Sequence, residues 1–265
     1  MDTDPGRFAD ETHWRDSLAA WAIPEQIMNQ APTNPWIHPV AQFTVVAPVA
    51  DSPSHATARA ALPEAGSVLD VGCGGGRGAL ALTPPAGHWI GVDHQQDMLD
   101  TFAAAAQSQG VTHEEILGDW PDVADRTPIA DVVVCHHVVY NVAELSEFIA
   151  ALTTHARHRV VLELPLHHPL TWMNPLWKQF WDLDRPTEPS AHDALSIIRG
   201  GGHDAHIIEF TEESSRSSAM DTRAAAEATC QRLCLPLDRV DDVAAAASIA
   251  DQASPRRLAT IWWDV

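Results

Sequence analysis

The chain has 265 residues, which fits one α/β domain with additions and is long enough to bury a large core. Its formal net charge at pH 7 is −20, with a single lysine, Lys178. Such a surface repels phosphate backbones and anionic membranes, which argues against nucleic-acid and membrane partners. The chain shows neither a signal-peptide pattern nor an apolar run of membrane-spanning length, so we expect a cytoplasmic protein with free cysteine thiols.

Two short helices are predicted at the start of the chain. Apolar residues recur at near-helical spacing between Glu11 and Gln30, and Pro24 interrupts the pattern. The proline-rich segment 31–43 favours an ordered covering loop, which together with these helices forms a possible lid. The tryptophans of this region either belong to that lid or anchor it to the core. A third helix over 54–62 leads into the first strand.

Strands and helices alternate through the rest of the chain. Strands are predicted at 68–71, 88–93, 111–117, 131–135, 159–164, 206–210 and 258–263, and helices between them at 79–82, 98–107, 142–153 and 190–199, with two alanine-rich helices before the last strand. This alternation predicts an α/β fold with a doubly wound, mostly parallel seven-stranded sheet. We expect one domain over 1–265, comprising N-terminal helices and covering loop (1–53), a ligand-binding core (54–164), an aromatic insertion (165–190) and a C-terminal part (191–265).

A glycine-rich turn follows the first predicted strand in SVLDVGCGGGRGALAL (67–82). Glycine tolerates positive φ and lets a ligand approach the backbone, and a helix start favours an anionic group. Two spacings fit this turn. Gly74, Gly76 and Ala79 satisfy the GxGxxA pattern of a nicotinamide or flavin dinucleotide site. Asp70, Gly72 and the same two glycines form a second pattern, DxGxGxG.

The second pattern resembles the first motif of the class I S-adenosylmethionine-dependent methyltransferases. Two later stretches resemble further motifs of that family in the expected order: IGVDHQQDML (90–99) after the second strand and Gly118-Asp119-Trp120 after the third. More loosely, the whole chain is similar to small actinobacterial proteins of this superfamily. This similarity does not indicate a substrate. Tyr140, the single tyrosine, lacks the nearby lysine of short-chain dehydrogenases, which weakens the dinucleotide alternative.

The resemblance implies S-adenosylmethionine as the cofactor. Asp93 would accept hydrogen bonds from the ribose hydroxyls, Met98 would contact adenine, and Asp119 would accept from the adenine amino group. Asp70 would lie near the methionine ammonium, or it fixes the turn by accepting from backbone N–H groups. The cofactor-binding residues are thus predicted as Asp70, Gly72, Cys73, Gly74, Gly76, Asp93, His94, Met98, Asp119, Trp120, Cys135 and His136. Arg77 is expected to face solvent.

Candidate catalytic residues follow the fourth strand. His136, His137 and Tyr140 come where a parallel sheet presents its ligands, and His137 is the leading candidate base because imidazole titrates near neutral pH. A structural hydrogen bond that closes the loop is the other interpretation of His137. Methyl transfer is an in-line displacement, so the protein must chiefly hold the nucleophile within about 3 to 3.5 Å of the methyl group.

Substrate-side candidates follow the fifth strand. They are Glu163, His167, Trp172 and Trp177, and the aromatic run favours either a pocket for a flat or apolar substrate or a capping subdomain or dimer contact. No metal site is expected, because the histidine pairs lack the ligand spacing of known sites.

The sequence therefore predicts S-adenosylmethionine-dependent methyl transfer to an oxygen or nitrogen nucleophile of a small molecule. The Asn/Asp-Pro-Pro-aromatic motif of nucleic-acid amino-methylating enzymes is missing after Cys135. Two alternatives stay open, an NAD(P)-dependent oxidoreductase that uses Gly74, Gly76 and Ala79, and a non-catalytic S-adenosylmethionine-binding protein. The protein is expected to be a monomer or a homodimer.

Overall fold

The computed structural model describes residues 5–35, 51–212, 222–253 and 256–265. Within these ranges the helices are α1 (Pro5–Ala19), α2 (Glu25–Met28), α3 (Pro53–Arg59), α4 (Arg77–Ala81), α5 (Gln96–Gln109), α6 (Leu145–Thr154), α7 (Asn174–Trp181), α8 (Ala191–Gly200), α9 (Thr222–Arg232) and α10 (Val240–Ala253). The strands are β1 (Ser67–Val71), β2 (His88–Asp93), β3 (Thr112–Leu117), β4 (Ala130–His136), β5 (Ala156–Pro165), β6 (His206–Thr211) and β7 (Arg257–Asp264).

The strands form one seven-stranded sheet in the order β3-β2-β1-β4-β5-β7-β6. The first five strands are parallel, whereas β7 runs antiparallel to both β5 and β6. The predicted doubly wound, mostly parallel sheet is therefore confirmed. The strand order reverses between β1 and β4, and in open α/β sheets ligands bind in the crevice outside the carboxyl ends at this point.

Each face of the sheet is covered by a separate hydrophobic cluster, because alternate residues of a strand point to opposite faces. On one face, Leu69 and Val133 pack with residues of α1, α6 and α8. On the other face, Val68 and Val132 pack with residues of α3, α4 and α5. The strands are buried on both sides, which explains the continuous apolar run DVVVC that predicts β4.

A third hydrophobic cluster lies outside the sheet and forms a helical cap. Its members come from α2, α7, α9 and α10, and they include Ile27, Leu176, Cys230 and Val243. We refer to these four helices as the helical cap. The predicted insertion 165–190 contributes α7 to it, so part of that insertion belongs to a capping unit.

The N-terminal region is anchored to the sheet domain. Pro24 directly precedes α2, as its missing N–H predicts. The Trp14 ring is fully buried, stacks on Tyr140, and its Nε1–H donates to the carbonyl of Val142 at 2.8 Å. Trp21 is also buried. These contacts favour the anchoring interpretation for both tryptophans, whereas most of the predicted covering loop lies outside the described residues.

Two predicted boundaries differ from the structure. The helix expected over 142–153 begins only at Leu145, because Val139–Asn141 form a 3-10 turn in which Tyr140 is buried. The predicted N-terminal pair of helices begins earlier, at Pro5. The expected start of α8 is confirmed, with the backbone N–H and the hydroxyl of Ser190 both donating to the Asp193 carboxylate at 2.7 Å.

Candidate functional site

The glycine-rich turn begins directly after β1, at the carboxyl edge of the sheet. Gly72, Gly74 and Gly76 have φ values of +69°, +50° and +85°, which only glycine adopts without strain. A Cβ on Gly72 would lie 2.3 Å from Cγ2 of Val138, whereas a Cβ on Gly74 would meet no atom within 4 Å. Gly72 is therefore required by packing. The backbone at Gly74 borders open space that a ligand can enter.

Asp70 closes this turn from the buried side. Its Oδ2 accepts a hydrogen bond from the backbone N–H of Ala79 at 3.1 Å, and a Cβ on Gly78 would lie 2.8 Å from the same oxygen. Burial raises the pKa of Asp70 to about 7, although the hydrogen bond from Ala79 opposes that rise. The contacts in the structure agree with the turn-fixing role of Asp70. A contact with a cofactor ammonium stays a prediction.

Asp93, His94 and Asp119 lie together where β2 and β3 end. The Asp93 carboxylate accepts from the N–H of Gly74 at 3.0 Å and, through its other oxygen, from the N–H of Gln95 at 3.0 Å. His94 Nδ1 lies 3.9 Å from Oδ1 of Asp119 and 4.0 Å from Oδ1 of Asp93. The Asp119 side chain is 77% exposed. Asp93 is thus hydrogen-bonded to the glycine turn, and the neighbouring carboxylate of Asp119 is accessible to a ligand.

The other cofactor-side candidates are less accessible. Met98 is buried on α5, and the thiols of Cys73 and Cys135 are buried as well. Burial raises the pKa of both thiols well above the ordinary value, so they stay protonated. A contact of these two residues with a cofactor stays a prediction, and the burial of both side chains favours a contact through the backbone. All four cysteines of the chain are free thiols, as expected.

Trp120 follows Asp119 directly in the chain. Its ring packs edge-on against His155, which directly precedes β5, with ring centroids 4.9 Å apart. The indole is partly buried against the sheet core and its Nε1 has no hydrogen-bond partner in the described part of the chain. A contact between Trp120 and a cofactor stays a prediction.

His137 and Glu163 form a hydrogen-bonded pair at the carboxyl ends of β4 and β5. His137 Nε2 lies 3.2 Å from Oε1 of Glu163, and Ser52 Oγ donates to Oε2 at 2.9 Å. His137 has φ +62°, in the left-handed region, and its backbone N–H donates to the carbonyl of Glu163 at 2.7 Å. Its side chain is 38% exposed, whereas that of Glu163 is buried. The imidazole is thus both oriented and reachable.

The charge of Glu163 follows from these contacts. Burial by itself would raise the pKa of Glu163, but the hydrogen bond from His137 and the neighbouring imidazoles of His136 and His137 outweigh burial and hold that pKa well below its usual range. Glu163 is therefore an ionised carboxylate inside the protein. Burial has the opposite consequence for His136, whose pKa it lowers to about 4, so this imidazole is neutral at pH 7.

Tyr140 is a structural residue. Its hydroxyl donates to the carbonyl of Pro165 at 2.8 Å, and its ring packs between Trp14 and His168. Burial raises the pKa of the phenol far above its ordinary value. These contacts favour a structural role for Tyr140, because the hydroxyl is buried and already bonded to the backbone, and the catalytic role of Tyr140 stays a prediction.

The aromatic candidates of the insertion belong to the helical cap. Trp177 is 2% exposed and lies in the cap cluster under the Arg185 guanidinium, and Trp172 is half-buried against the same cluster. His167 is exposed and pairs with Ser190 in an isolated bridge. The structure therefore favours the capping interpretation for Trp177, and a contact of this ring with substrate stays a prediction. Of the substrate-side candidates, Glu163 lies in the site. Arg77 has a 60% exposed side chain, as expected.

Sequence reasoning missed Ser52 and His55. Ser52 directly precedes α3 and His55 lies in its first turn. At the carboxyl ends of β4 and β5, Ser52 donates a hydrogen bond to Glu163, and the centroid of the His55 ring lies 5.6 Å from that of His136. No local motif identifies them, because more than 80 residues separate His55 from His136. Among the described residues, no group of three or more His, Cys, Asp or Glu side chains is arranged to hold a metal ion.

Comparisons with known proteins agree with this geometry. Residues 68–159 match the model of a methyltransferase domain family. A ubiquinone biosynthesis O-methyltransferase of Rickettsia conorii is 31% identical over 90 residues, which is 34% of this chain and 31% of that protein. The chain thus spans about a third of the length of this relative.

Two solved structures share the fold. An S-adenosylmethionine-dependent methyltransferase from Thiobacillus denitrificans, in complex with S-adenosyl-L-homocysteine, superposes with a TM-score of 0.54 at 17% identity, over 85% of this chain and 98% of that chain. The cyclase SpnF gives a TM-score of 0.54 at 14% identity, over 79% of this chain and 78% of that chain. Residues 68–159 are therefore similar to a methyltransferase domain family, and the chain shares the fold of these two solved structures. The resemblance in the sequence motifs is confirmed. No helix in the described ranges is both long and apolar enough to span a membrane.

Proposed function

We propose that this protein binds S-adenosylmethionine at the glycine turn and catalyses methyl transfer to an oxygen or nitrogen nucleophile of a small molecule. The observation that carries the proposal is the open backbone at Gly74, which borders Asp93 at the strand-order reversal of a methyltransferase-family domain. The O-methyltransferase relative supports an oxygen acceptor, but its match covers only 34% of this chain.

The residues at the turn fit this cofactor. A long ligand that lies along the carboxyl ends of β1 and β2 meets bare backbone at Gly74 and a buried carboxylate at Asp93. Each oxygen of Asp93 accepts one backbone N–H and keeps a second lone pair, which can accept a ribose hydroxyl. The exposed Asp119 carboxylate supplies a further acceptor. When bound, the cofactor supplies an electrophilic methyl group on a sulfonium.

His137 and Glu163 supply the acceptor side. With Nε2–H directed at Glu163, the Nδ1 atom of His137 carries the lone pair and can accept a proton from a hydroxyl or ammonium nucleophile. The ionised Glu163 fixes the tautomer and the ring orientation, and it stabilises the imidazolium that forms after the proton is taken up. Ser52 holds the second oxygen of this carboxylate in turn.

Small-molecule acceptors are favoured over nucleic acid. The net charge of −20 opposes approach of a phosphate backbone, and Glu163 adds a negative charge inside the site. A dinucleotide-dependent oxidoreductase that uses Gly74, Gly76 and Ala79 is the second candidate. SpnF, whose structure shares this fold, is a cyclase, so a reaction other than methyl transfer is an alternative.

Calorimetric titration of the full chain with S-adenosylmethionine, S-adenosylhomocysteine and NADH tests the cofactor. We expect both sulfur ligands to bind and NADH to bind at least a hundredfold more weakly. NADH binding without either sulfur ligand would refute the proposal. Asp93→Asn should weaken the sulfur ligands at least tenfold, because a hydrogen bond to a charged acceptor contributes about 1.5 to 3 kcal/mol.

Asp131→Asn is the matched control for that variant. The Asp131 carboxylate also accepts from a backbone N–H, that of Ser67, but at the amino end of β1. Both variants should lose similar stability, and only Asp93→Asn should lose affinity. A metabolite screen that follows transfer of the isotope-labelled methyl group then tests turnover, and binding without any transfer would favour the non-catalytic alternative.

A further inference from the structure

Two buried imidazole nitrogens beside the His137–Glu163 pair have no hydrogen-bond partner. Nδ1 of His55 and Nε2 of His136 are both shielded from solvent, and neither finds a partner among the residues that the structure describes. His55 is 3% exposed and covers the site from α3. An unsatisfied buried polar atom costs about 1 to 3 kcal/mol, so two of them in one place need an explanation.

The two rings are close enough to share one ligand atom. Their centroids are 5.6 Å apart and the ring planes are tilted by 39°. A single oxygen that forms two hydrogen bonds of about 2.8 Å at a tetrahedral angle joins nitrogens about 4.6 Å apart. This separation is compatible with rings bridged by one atom. The pair also borders the acceptor side, because His136 lies opposite Glu163 in the β4–β5 register.

The charges around the pair select a neutral group. Burial lowers the pKa values of both His55 and His136, so neither imidazole offers a cation to an anionic ligand. The ionised Glu163 lies beside His136, and Oδ1 of Asp51 lies 3.8 Å from His55 Nδ1. Arg59 is occupied by both oxygens of Asp51. Arg77, which also acts on both rings, lies 3.9 Å from Glu212. Within the described part of the chain, a carboxylate or phosphate at the pair would thus meet carboxylates and arginines that already have acidic partners.

A neutral imidazole nitrogen is either an N–H donor or a lone-pair acceptor, according to its tautomer. A hydroxyl group donates one hydrogen bond and accepts two, so it satisfies this pair whenever at least one of the two nitrogens carries a proton. An ammonium group lacks the lone pair, and an ether lacks the proton. The chemistry of the pair therefore favours a hydroxyl.

We propose that His55 and His136 form a subsite for a neutral hydroxyl group, phenolic or alcoholic, of the acceptor molecule. The inference rests on the proposed function, since it assigns this group to the methyl acceptor. His55 and His136 bind and orient the hydroxyl, whereas His137 faces the nucleophile. This division gives the site two-point recognition of a small polyfunctional acceptor.

Histidine ring ¹⁵N NMR on the full chain tests the subsite with phenol as the probe, and toluene and benzoate as matched aromatic molecules without a neutral hydroxyl. Phenol should shift the ring nitrogens of His55 and His136 saturably, and toluene and benzoate should bind at least tenfold more weakly. His55→Phe and His136→Phe should each weaken phenol at least tenfold. His158→Phe is the control, because this half-exposed histidine lies at the amino end of β5.

Several results would overturn the proposal. These are equal binding of benzoate, a direct N–H···N coupling between the two rings in the free protein, or stoichiometric Zn²⁺ binding that shifts both rings. The wild-type titrations decide the matter even if a buried Phe variant does not fold. Failure here leaves the calorimetric binding of S-adenosylhomocysteine unaffected, whereas failure of the proposed function abolishes that binding and leaves the phenol shifts in place.

Discussion

Replacing Gly74 with alanine separates ligand binding from backbone strain. Gly74 and Gly110 both have positive φ, +50° and +70°, and an alanine Cβ at either position would meet no atom within 4 Å. The left-handed conformation costs a non-glycine residue about 1 to 2 kcal/mol, and this is the whole cost in both cases. We therefore expect Gly74→Ala and Gly110→Ala to lose similar stability, about 1 kcal/mol each.

Ligand affinity should differ between the two variants. The Cβ at Gly74 enters the space that the cofactor would use, whereas Gly110 ends α5 on the surface. Calorimetric titration with S-adenosylhomocysteine should give at least a tenfold weaker Kd for Gly74→Ala, which corresponds to about 1.4 kcal/mol. The Kd of Gly110→Ala should equal that of the wild type. Unchanged affinity in a folded Gly74→Ala protein would show that no ligand approaches this backbone.

Gly72→Ala provides the steric contrast within the same turn. Its Cβ would lie 2.3 Å from Cγ2 of Val138, so overpacking of about 1 to 3 kcal/mol adds to the strain of φ +69°. Urea denaturation should show a loss of about 2 to 5 kcal/mol. A loss no greater than that of Gly110→Ala would contradict the packing in the turn.

Three further outcomes follow from the burial of individual side chains. Tyr140→Phe should lose about 1 to 3 kcal/mol of stability, because the carbonyl of Pro165 loses its donor, while the affinity for S-adenosylhomocysteine stays unchanged in calorimetry. Trp177→Ala should lower the free energy of unfolding by about 3 to 5 kcal/mol in urea denaturation. An unchanged free energy of unfolding would contradict the burial of this ring. Burial lowers the pKa of His168 to about 3. Below about pH 6.5 this imidazole is therefore protonated in the unfolded chain but stays neutral in the folded protein. Stability should fall between pH 7 and pH 5, and His168→Gln should reduce that fall by roughly 1 to 2 kcal/mol.

The shared fold constrains the cofactor more than the reaction. The family match lies within 68–159, whereas Ser52 and His55 of the site come from outside that range. The Rickettsia relative is matched over 34% of this chain and 31% of its own length. The acceptor of the proposed reaction is therefore best sought with variants of His55, His136 and His137.

The order of strands and helices could be predicted from the sequence because a strand of a parallel sheet is buried on both faces and is therefore apolar throughout. Continuous β-branched runs such as DVVVC, and glycines at fixed spacing after β1, are local consequences of burial and of positive φ. The same locality singled out Asp93 and Asp119 in the sequence, since Asp93 is the last residue of β2 and Asp119 comes two residues after the end of β3.

Only the tertiary structure decided which side chains turn into the site. A position after a strand does not determine how much of a ring packs on the core, and the structure buries Tyr140 in the core and Trp120 partly against it. Contacts between segments far apart in the chain brought Ser52 and His55 over Glu163 and His136. Packing between distant segments sets these positions, and hydrophobic periodicity reports only local structure, so it cannot predict them.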